Sequence, residues 1–264
     1  GFTGRVNFTG RDIRLNNTDA RNMVNVHVDL GSGTGVSCAS NGGSSTSAQT
    51  VTFGALSGSG NMHGINTYII GAKNLNTTYS GIIGEGGGKL TKTGTGTLFL
   101  SGSNLYTGGT TISQGTLSVV NTSGSATGTG NVSVTNDALI MGTGTIGGNL
   151  IMSNTSSVRP GATETGIGTL SVDKNLTLTA NSTAIIKANK TSNDKLKVGG
   201  ILYLNGTLDM RNLGGLVWSN GMEFKFLDAA TINGNFSAIV PEAPGANLVW
   251  DTSRISEGII AVKT

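Results

Sequence analysis

An all-β solenoid is the fold this sequence predicts, and three observations predict it. From Gly86 to Val119 the chain alternates: Leu90, Leu98, Leu100, Ile112, Leu117 and Val119 are separated by small polar residues, mostly Thr and Ser. A period of two places the apolar set on one face of an extended chain and excludes a helix. Glycines at 94, 96, 102, 108, 109 and 115 punctuate these strands where the chain must turn. The same pattern then recurs along the chain at intervals of roughly twenty residues, which favours stacked rungs over a hairpin meander.

The elements follow in order. Val6 and Phe8, then Ile13 and Leu15, read as short strands. Val24, Val26, Val28 and Leu30 alternate with Asn25, His27 and Asp29, giving one apolar and one polar face. Residues 31–46 are rich in Gly and Ser and read as a loop or a poorly packed rung, with Val36 and Cys38 as its inward pair. Strands resume at Val51 and Phe53 and continue through Tyr68, Ile69, Ile70, Tyr79, Ile82 and Ile83. Beyond Val119 the strands are marked by Val132 and Val134, Ile140, Ile146, Leu150 and Met152, Leu170 and Val172, and Leu176 and Leu178. Residues 192–210 close the series with Leu196, Val198, Ile201, Leu208 and Met210.

From Leu216 the composition shifts: Trp218, Phe224, Phe226, Phe236 and Trp250 gather here with Pro241 and Pro244. A solenoid end exposes an apolar cross-section and an open strand edge, and bulky residues can cover both. The expected organisation is N-terminal rungs over 1–85, continuing from a longer chain, central rungs over 86–215, and last coils plus a cap over 216–264. The cap would end in a strand through Ile259, Ile260 and Val262. About thirteen rungs at the usual strand spacing would make a rod roughly 60 Å long.

Composition agrees. Of 264 residues 43 are Gly and only 3 are Pro, without the Gly-X-Y period of collagen. Charged residues are 12%, too few for a chain kept disordered by charge. The net charge of +3 is mild, and only Arg5, Arg11, Arg14 and Arg21 approach a cluster, diluted by Asp12 and Asp19, so nucleic acid is not an expected partner. Cys38 is the only cysteine, so no internal disulfide exists. No apolar run is long enough for a transmembrane helix. The chain opens on Gly-Phe-Thr-Gly, already in strand pattern, and reads as a piece of something longer with its targeting segments removed.

The order Leu90, Lys92, Gly94, Gly96, Leu98, Leu100, Gly102, Asn104, Tyr106, Gly108, Thr110, Ile112, Gly115, Leu117, Val119 resembles the passenger-associated strand repeat of bacterial autotransporters. Bacteroidetes-type proteins with autotransporter-associated β-strand repeats share it, and residues 67–74 are similar to the segment that often precedes it there. The resemblance implies a single-stranded, right-handed parallel β-helix on the extracellular or outer-membrane surface of a Gram-negative bacterium. It implies a structural or adhesin-like role and no cofactor; a fold of this kind serves many functions, so activity must be argued from sites.

Enzymatic sites are sparse. Asn17-Thr18-Asp19 matches one short motif of polygalacturonase-type glycosidases, which also need adjacent aspartates, a Gly-His-Gly and an Arg-Ile-Lys. No Asp-Asp occurs, and Met62-His63-Gly64 is only a partial match, so the carboxylate pair of a glycosidase is not assembled. The glycine runs at 31–35 and 94–96 are not followed by helices and are turns, not phosphate loops. What remains is a candidate ligand surface of Arg11, Arg14, His27, Asp29 and His63, with no expected metal set; the group Arg5, Arg11, Arg14 and Arg21 is the part suited to acidic glycans. Tyr68, Tyr79 and Tyr106 are the aromatics of the rod placed to stack on sugars, and Lys89 and Lys92 stand without partners.

Two functions from different classes result. The preferred one is a non-catalytic scaffold whose partners are glycans or host and cell-surface components. The alternative is the C-terminal part of a polysaccharide-binding or polysaccharide-degrading β-helix with its active site upstream or before residue 65. Convergence of Arg14, His27, Asp29 and His63 in one groove would favour the second. A fibre subunit self-associating through residues 1–8 is a third possibility.

Overall fold

The computed structural model describes residues 3–16, 21–38, 48–84 and 86–264. Its strands stack in parallel into columns, the arrangement of a parallel β-helix. The longest column contains Arg5–Phe8, the ends of Asn22–Leu30 and Thr50–Gly58, then Thr77–Tyr79, Thr97–Leu100, Thr116–Val119, Leu139–Gly142, Ser157–Pro160, Thr183–Ala188, Thr207–Asn212 and Ala238–Val240. A second column begins with the starts of Asn22–Leu30 and Thr50–Gly58 and runs through Thr67–Ile70, Lys89–Lys92, Thr110–Ile112, Val132–Val134, Leu150–Met152 and Leu176–Leu178. The third is interrupted. Ile13–Leu15, Gly35–Cys38 and Asn61–Met62 form its first part, and Thr145–Ile146, Thr169–Val172 and the starts of Lys195–Leu204 and Leu227–Gly234 its second.

Eleven strands in the longest column make a rod of roughly 48 Å at the usual spacing. The expected thirteen rungs are too many because apolar pairs that follow one another in sequence share a turn: Leu170 and Val172 stand in the third column, Leu176 and Leu178 in the second.

Alternation sets which side chains enter the core. One inward row of the first column joins Leu98, Leu117, Ile140, Val158, Ala184 and Leu208 in register, all within 1% of full burial. Each large apolar member contributes roughly 1.5–3 kcal/mol by leaving water. Each needs the rung above and below to be buried at all. One expectation fails locally. Val26, Val28 and Leu30 are buried, but Val24 does not join the core; Met23 does instead, paired with Phe53. The register shifts between Met23 and His27, because this one strand turns a corner between two columns.

Asparagines fill the corners. Where the third column is interrupted, the buried Asn104 accepts from Ile83 N at 2.7 Å and donates to Ala126 O. Asn61, Asn74, Asn76, Asn121 and Asn175 each accept a backbone N–H from the next turn. The sequence offset across a turn is 21 residues at Asn104 and Ile83, 26 at Asn175 and Ile201, and 31 at Gly206 and Ser237. Turn length thus varies along the rod, from 17 residues between Thr50 and Thr67 to 31 between Thr207 and Ala238, while the inner rows stay in register.

Around the last two parallel strands, Leu227–Gly234 and Ala238–Val240, the chain adds a second mode of pairing. Glu223–Lys225, Ile259–Lys263 and Val249–Asp251 form a three-stranded antiparallel sheet. It meets the solenoid at the third column, where Phe226 N and Leu227 N donate to Gly258 O. Trp218 packs edge-on against both Phe224 and Trp250, each at 5.1 Å between ring centres. Among the described residues no helix is long and apolar enough to cross a membrane.

Candidate functional site

The expected ligand surface does not form one patch. His27 and Asp29 point outward from one strand of the first column, with Arg5 paired to His27 and Ser57 paired to Asp29 in the neighbouring strands. Arg5 forms an ion pair with Asp29, Ser57 Oγ donates to Asp29 Oδ1 at 3.0 Å, and His27 Nε2 lies 2.9 Å from the same hydroxyl. Burial pushes Asp29 up, but hydrogen bonds from Arg5 and Ser57 and the Arg5 charge outweigh it, so its pKa falls. His27 is lowered, first by burial and then by Arg5, and is held toward its neutral form.

This trio has the residue types of a serine nucleophile site in an arrangement that does not activate the serine. The hydroxyl proton goes to the carboxylate, so Ser57 presents a lone pair to His27 and the imidazole acts as donor. A nucleophile needs the reverse: its proton on the imidazole, and the carboxylate behind the imidazole. The cluster is an ion-paired outer surface.

His63 lies elsewhere, just past Asn61–Met62 in the third column. It borders an open cleft of about 180 Å³ together with Asp12, Gly35, Ser59 and Asn61. Arg14 sits on Ile13–Leu15, paired with Ser37, and both it and Arg11 are exposed; neither borders the cleft. Arg14, His27, Asp29 and His63 thus do not share one groove. The Asn17-Thr18-Asp19 triplet lies outside the described residues, as does the Cys38 side chain, while Val36 is buried. Among the described residues no three His, Cys, Asp or Glu side chains come together as a metal cluster.

Two further expectations are corrected. Tyr68, Tyr79 and Tyr106 do not stand ready for sugars; all three are fully buried. Their rings occupy inward positions and their hydroxyls find partners inside: Tyr79 Oη donates to Gly60 O at 2.6 Å, Tyr68 Oη to His63 O at 3.1 Å, and Tyr106 Oη meets Thr110 Oγ1. Burial raises the pKa of Tyr79 and Tyr106. Lys92 is not without partners. It is 1% exposed, and its Nζ donates to Thr93 O, Gly94 O and Gln114 O.

The most concentrated ionic group is one that alternation alone does not reveal. Lys187 and Asp194 are both fully buried and paired at 2.7 Å, with Asp194 also accepting from Lys187 N and Gly168 N, both at 2.9 Å. Nearby, Arg159 is 3% exposed, pairs with Glu164 and contacts Met141 Sδ. Lys187 and Arg159 occupy outward positions of their strands, which alternation marks as solvated. Residues of the 161–168 segment cover them: Gly168 holds Asp194, Glu164 holds Arg159, and a β-carbon on Gly161 would stand 3.0 Å from Lys187 Nζ. The one signal in the sequence is a lysine inside the apolar run Thr183–Ala188.

Residues 90–119 match the family model described as the passenger-associated-transport-repeat. The chain carries an autotransporter passenger repeat. The repeat spans Thr97–Leu100, Thr110–Ile112 and Thr116–Val119, in the middle of the columns. Over 182 residues, 64% of its length, the chain is 34% identical to an adhesin, the BmaC autotransporter of Brucella suis biovar 1 (strain 1330). Over 88 residues, 33% of its length, it is 42% identical to an extracellular serine protease of Serratia marcescens. The chain spans 5% and 8% of the lengths of these two relatives.

Proposed function

We propose that this segment is a non-catalytic, adhesin-like scaffold of a secreted or cell-surface bacterial protein, held outside a Gram-negative outer membrane. The observation that carries the reading is the unbroken parallel column with the passenger repeat at its centre. The similarity to a protein named as an autotransporter adhesin supports it. So does the dispersal of the candidate residues, with His27 and Asp29 on an ion-paired outer face, His63 at a separate cleft and Arg11 and Arg14 at neither. The antiparallel sheet at the end of the third column supports reading 216–264 as last coils and a cap. Surface components such as glycans are the partner class this reading favours.

The test is display of the chain on a non-adherent bacterial host, with adhesion to cultured cells and to a glycan array compared with an empty carrier. Adhesion that is gained with the chain, and lost when residues 90–119 are deleted, is the expected result. Displayed, folded chain that leaves adhesion at the carrier's level overturns the adhesin part. Release of reducing ends from polysaccharide by the purified chain overturns the non-catalytic part.

A further inference from the structure

We propose that Asp12 and His63 form a binding site for a divalent transition-metal ion. The φ of Gly35 lies outside the left-handed range, so its backbone conformation does not call for glycine. Space does. A β-carbon at Gly35 would stand 2.2 Å from Asp12 Oδ1 and 3.0 Å from His63 Nε2. A carboxylate oxygen and an imidazole nitrogen thus converge over one bare α-carbon, from just before Ile13–Leu15 and just after Asn61–Met62, the strands on either side of Gly35–Cys38.

The two side chains flank a space instead of pairing. Neither the Asp12 carboxylate nor the His63 imidazole has a hydrogen-bond or ion-pair partner among the described residues. Both face the open cleft of about 180 Å³. Their surroundings are fixed. His63 N donates to Val36 O at 2.7 Å, and His63 O accepts from Tyr68 Oη and Asn66 Nδ2. Asn61 Oδ1 is taken by Ile82 N, and Thr34 Oγ1 accepts from Gly10 N and donates to Phe8 O. The Asn61 and Thr34 oxygens on the cleft wall are therefore engaged, and the Asp12 carboxylate, the His63 imidazole and the Ser59 hydroxyl are left to meet a ligand.

Imidazole nitrogen and carboxylate oxygen together suit Zn²⁺, which takes each at roughly 2.0–2.2 Å. They suit Ca²⁺ or Mg²⁺ poorly, since those ions want oxygen alone. Two protein donors leave the remaining positions to water or to an incoming oxygen ligand. His27 offers no equivalent site, because its Nε2 is engaged with Ser57 and Arg5 neutralises the adjacent carboxylate.

The chain has only 2 histidines, which makes the test direct. Zn²⁺ is titrated into the intact chain while heat is measured by calorimetry and the two imidazole Hε1 resonances are followed by NMR. One ion per chain, with the His63 signal shifting and the His27 signal still, is the expected result. His63→Ala should abolish this binding, and Asp12→Asn should weaken it by roughly tenfold or more. Gly35→Ala keeps both donors but fills their meeting point, and should weaken binding similarly, with circular dichroism to confirm the fold. Since Asp12 and His63 are exposed, their variants keep the proposal testable if Gly35→Ala does not fold. Absence of heat and shifts at millimolar Zn²⁺, equal shifts of both histidines, or unchanged binding by His63→Ala would each overturn it.

Discussion

Lys92 stands in an inner row between Ile70 and Ile112, where its neighbours in register are hydrocarbon. Three carbonyls satisfy its ammonium, and burial pulls its pKa down to about 8. The unfolded chain holds that proton more tightly than the folded one. Between pH about 8 and the ordinary value of 10.5, unfolding therefore takes up a proton, and stability rises with pH across this window. Thermal melts at pH 7.5 and 9.5 should show that rise in the parent chain as an excess over Lys92→Met, which lacks the group. Equal pH dependence in the two would place the amine in water. The buried tyrosines make a second case. Tyr79→Phe leaves Gly60 O without its 2.6 Å donor and should cost about 1–2 kcal/mol in urea unfolding, with no effect on any glycan contact.

At the scale of the element, the corners decide. Asn104 serves a backbone donor above and a backbone acceptor below, both buried, so Asn104→Ala should cost roughly 2–4 kcal/mol. Asn104→Asp should be no better. A carboxylate can still accept from Ile83 N, but it cannot donate to Ala126 O, and it adds a buried charge. Chemical denaturation of the three proteins checks the order. Alternation makes the strands legible in the sequence because the core itself enforces it: Leu98, Leu117 and Ile140 read as inward from their spacing alone, and they are inward. It misleads wherever burial comes from something other than alternation. Tyr106 carries a hydroxyl that suits the surface, yet a neighbouring threonine satisfies it inside. Lys187 is on an outward position and is buried only because 161–168 lies across it, a contact with no local signature. The meeting of Asp12 and His63 is hidden for a related reason, since it depends on how the turns stack.

In the whole molecule each turn touches only its neighbours, so damage should stay local. The buried Lys187–Asp194 pair tests this. Removing one partner strands the other charge, and Asp194→Ala should cost about 3–5 kcal/mol. Hydrogen exchange should quicken in Ser157–Pro160, Thr183–Ala188 and Thr207–Asn212, and remain unchanged in Thr50–Gly58 and Thr67–Ile70. Uniform loss of protection along the rod would show a single cooperative unit instead.

The strands lie across the rod, and the backbone hydrogen bonds that join one turn to the next lie along it. Tension applied between the two ends therefore loads those bonds lengthwise, with the turns in series. A member built this way yields at its weakest turn and releases a short length of chain before the next turn bears the load. The lengths differ by position, from the 17 residues between Thr50 and Thr67 to the 31 between Thr207 and Ala238. In an optical trap the chain should give a staircase of small extensions, unequal from turn to turn, where a compact domain of the same size would give one large rip. A tether with that response keeps hold of a surface under fluctuating flow by lengthening instead of breaking.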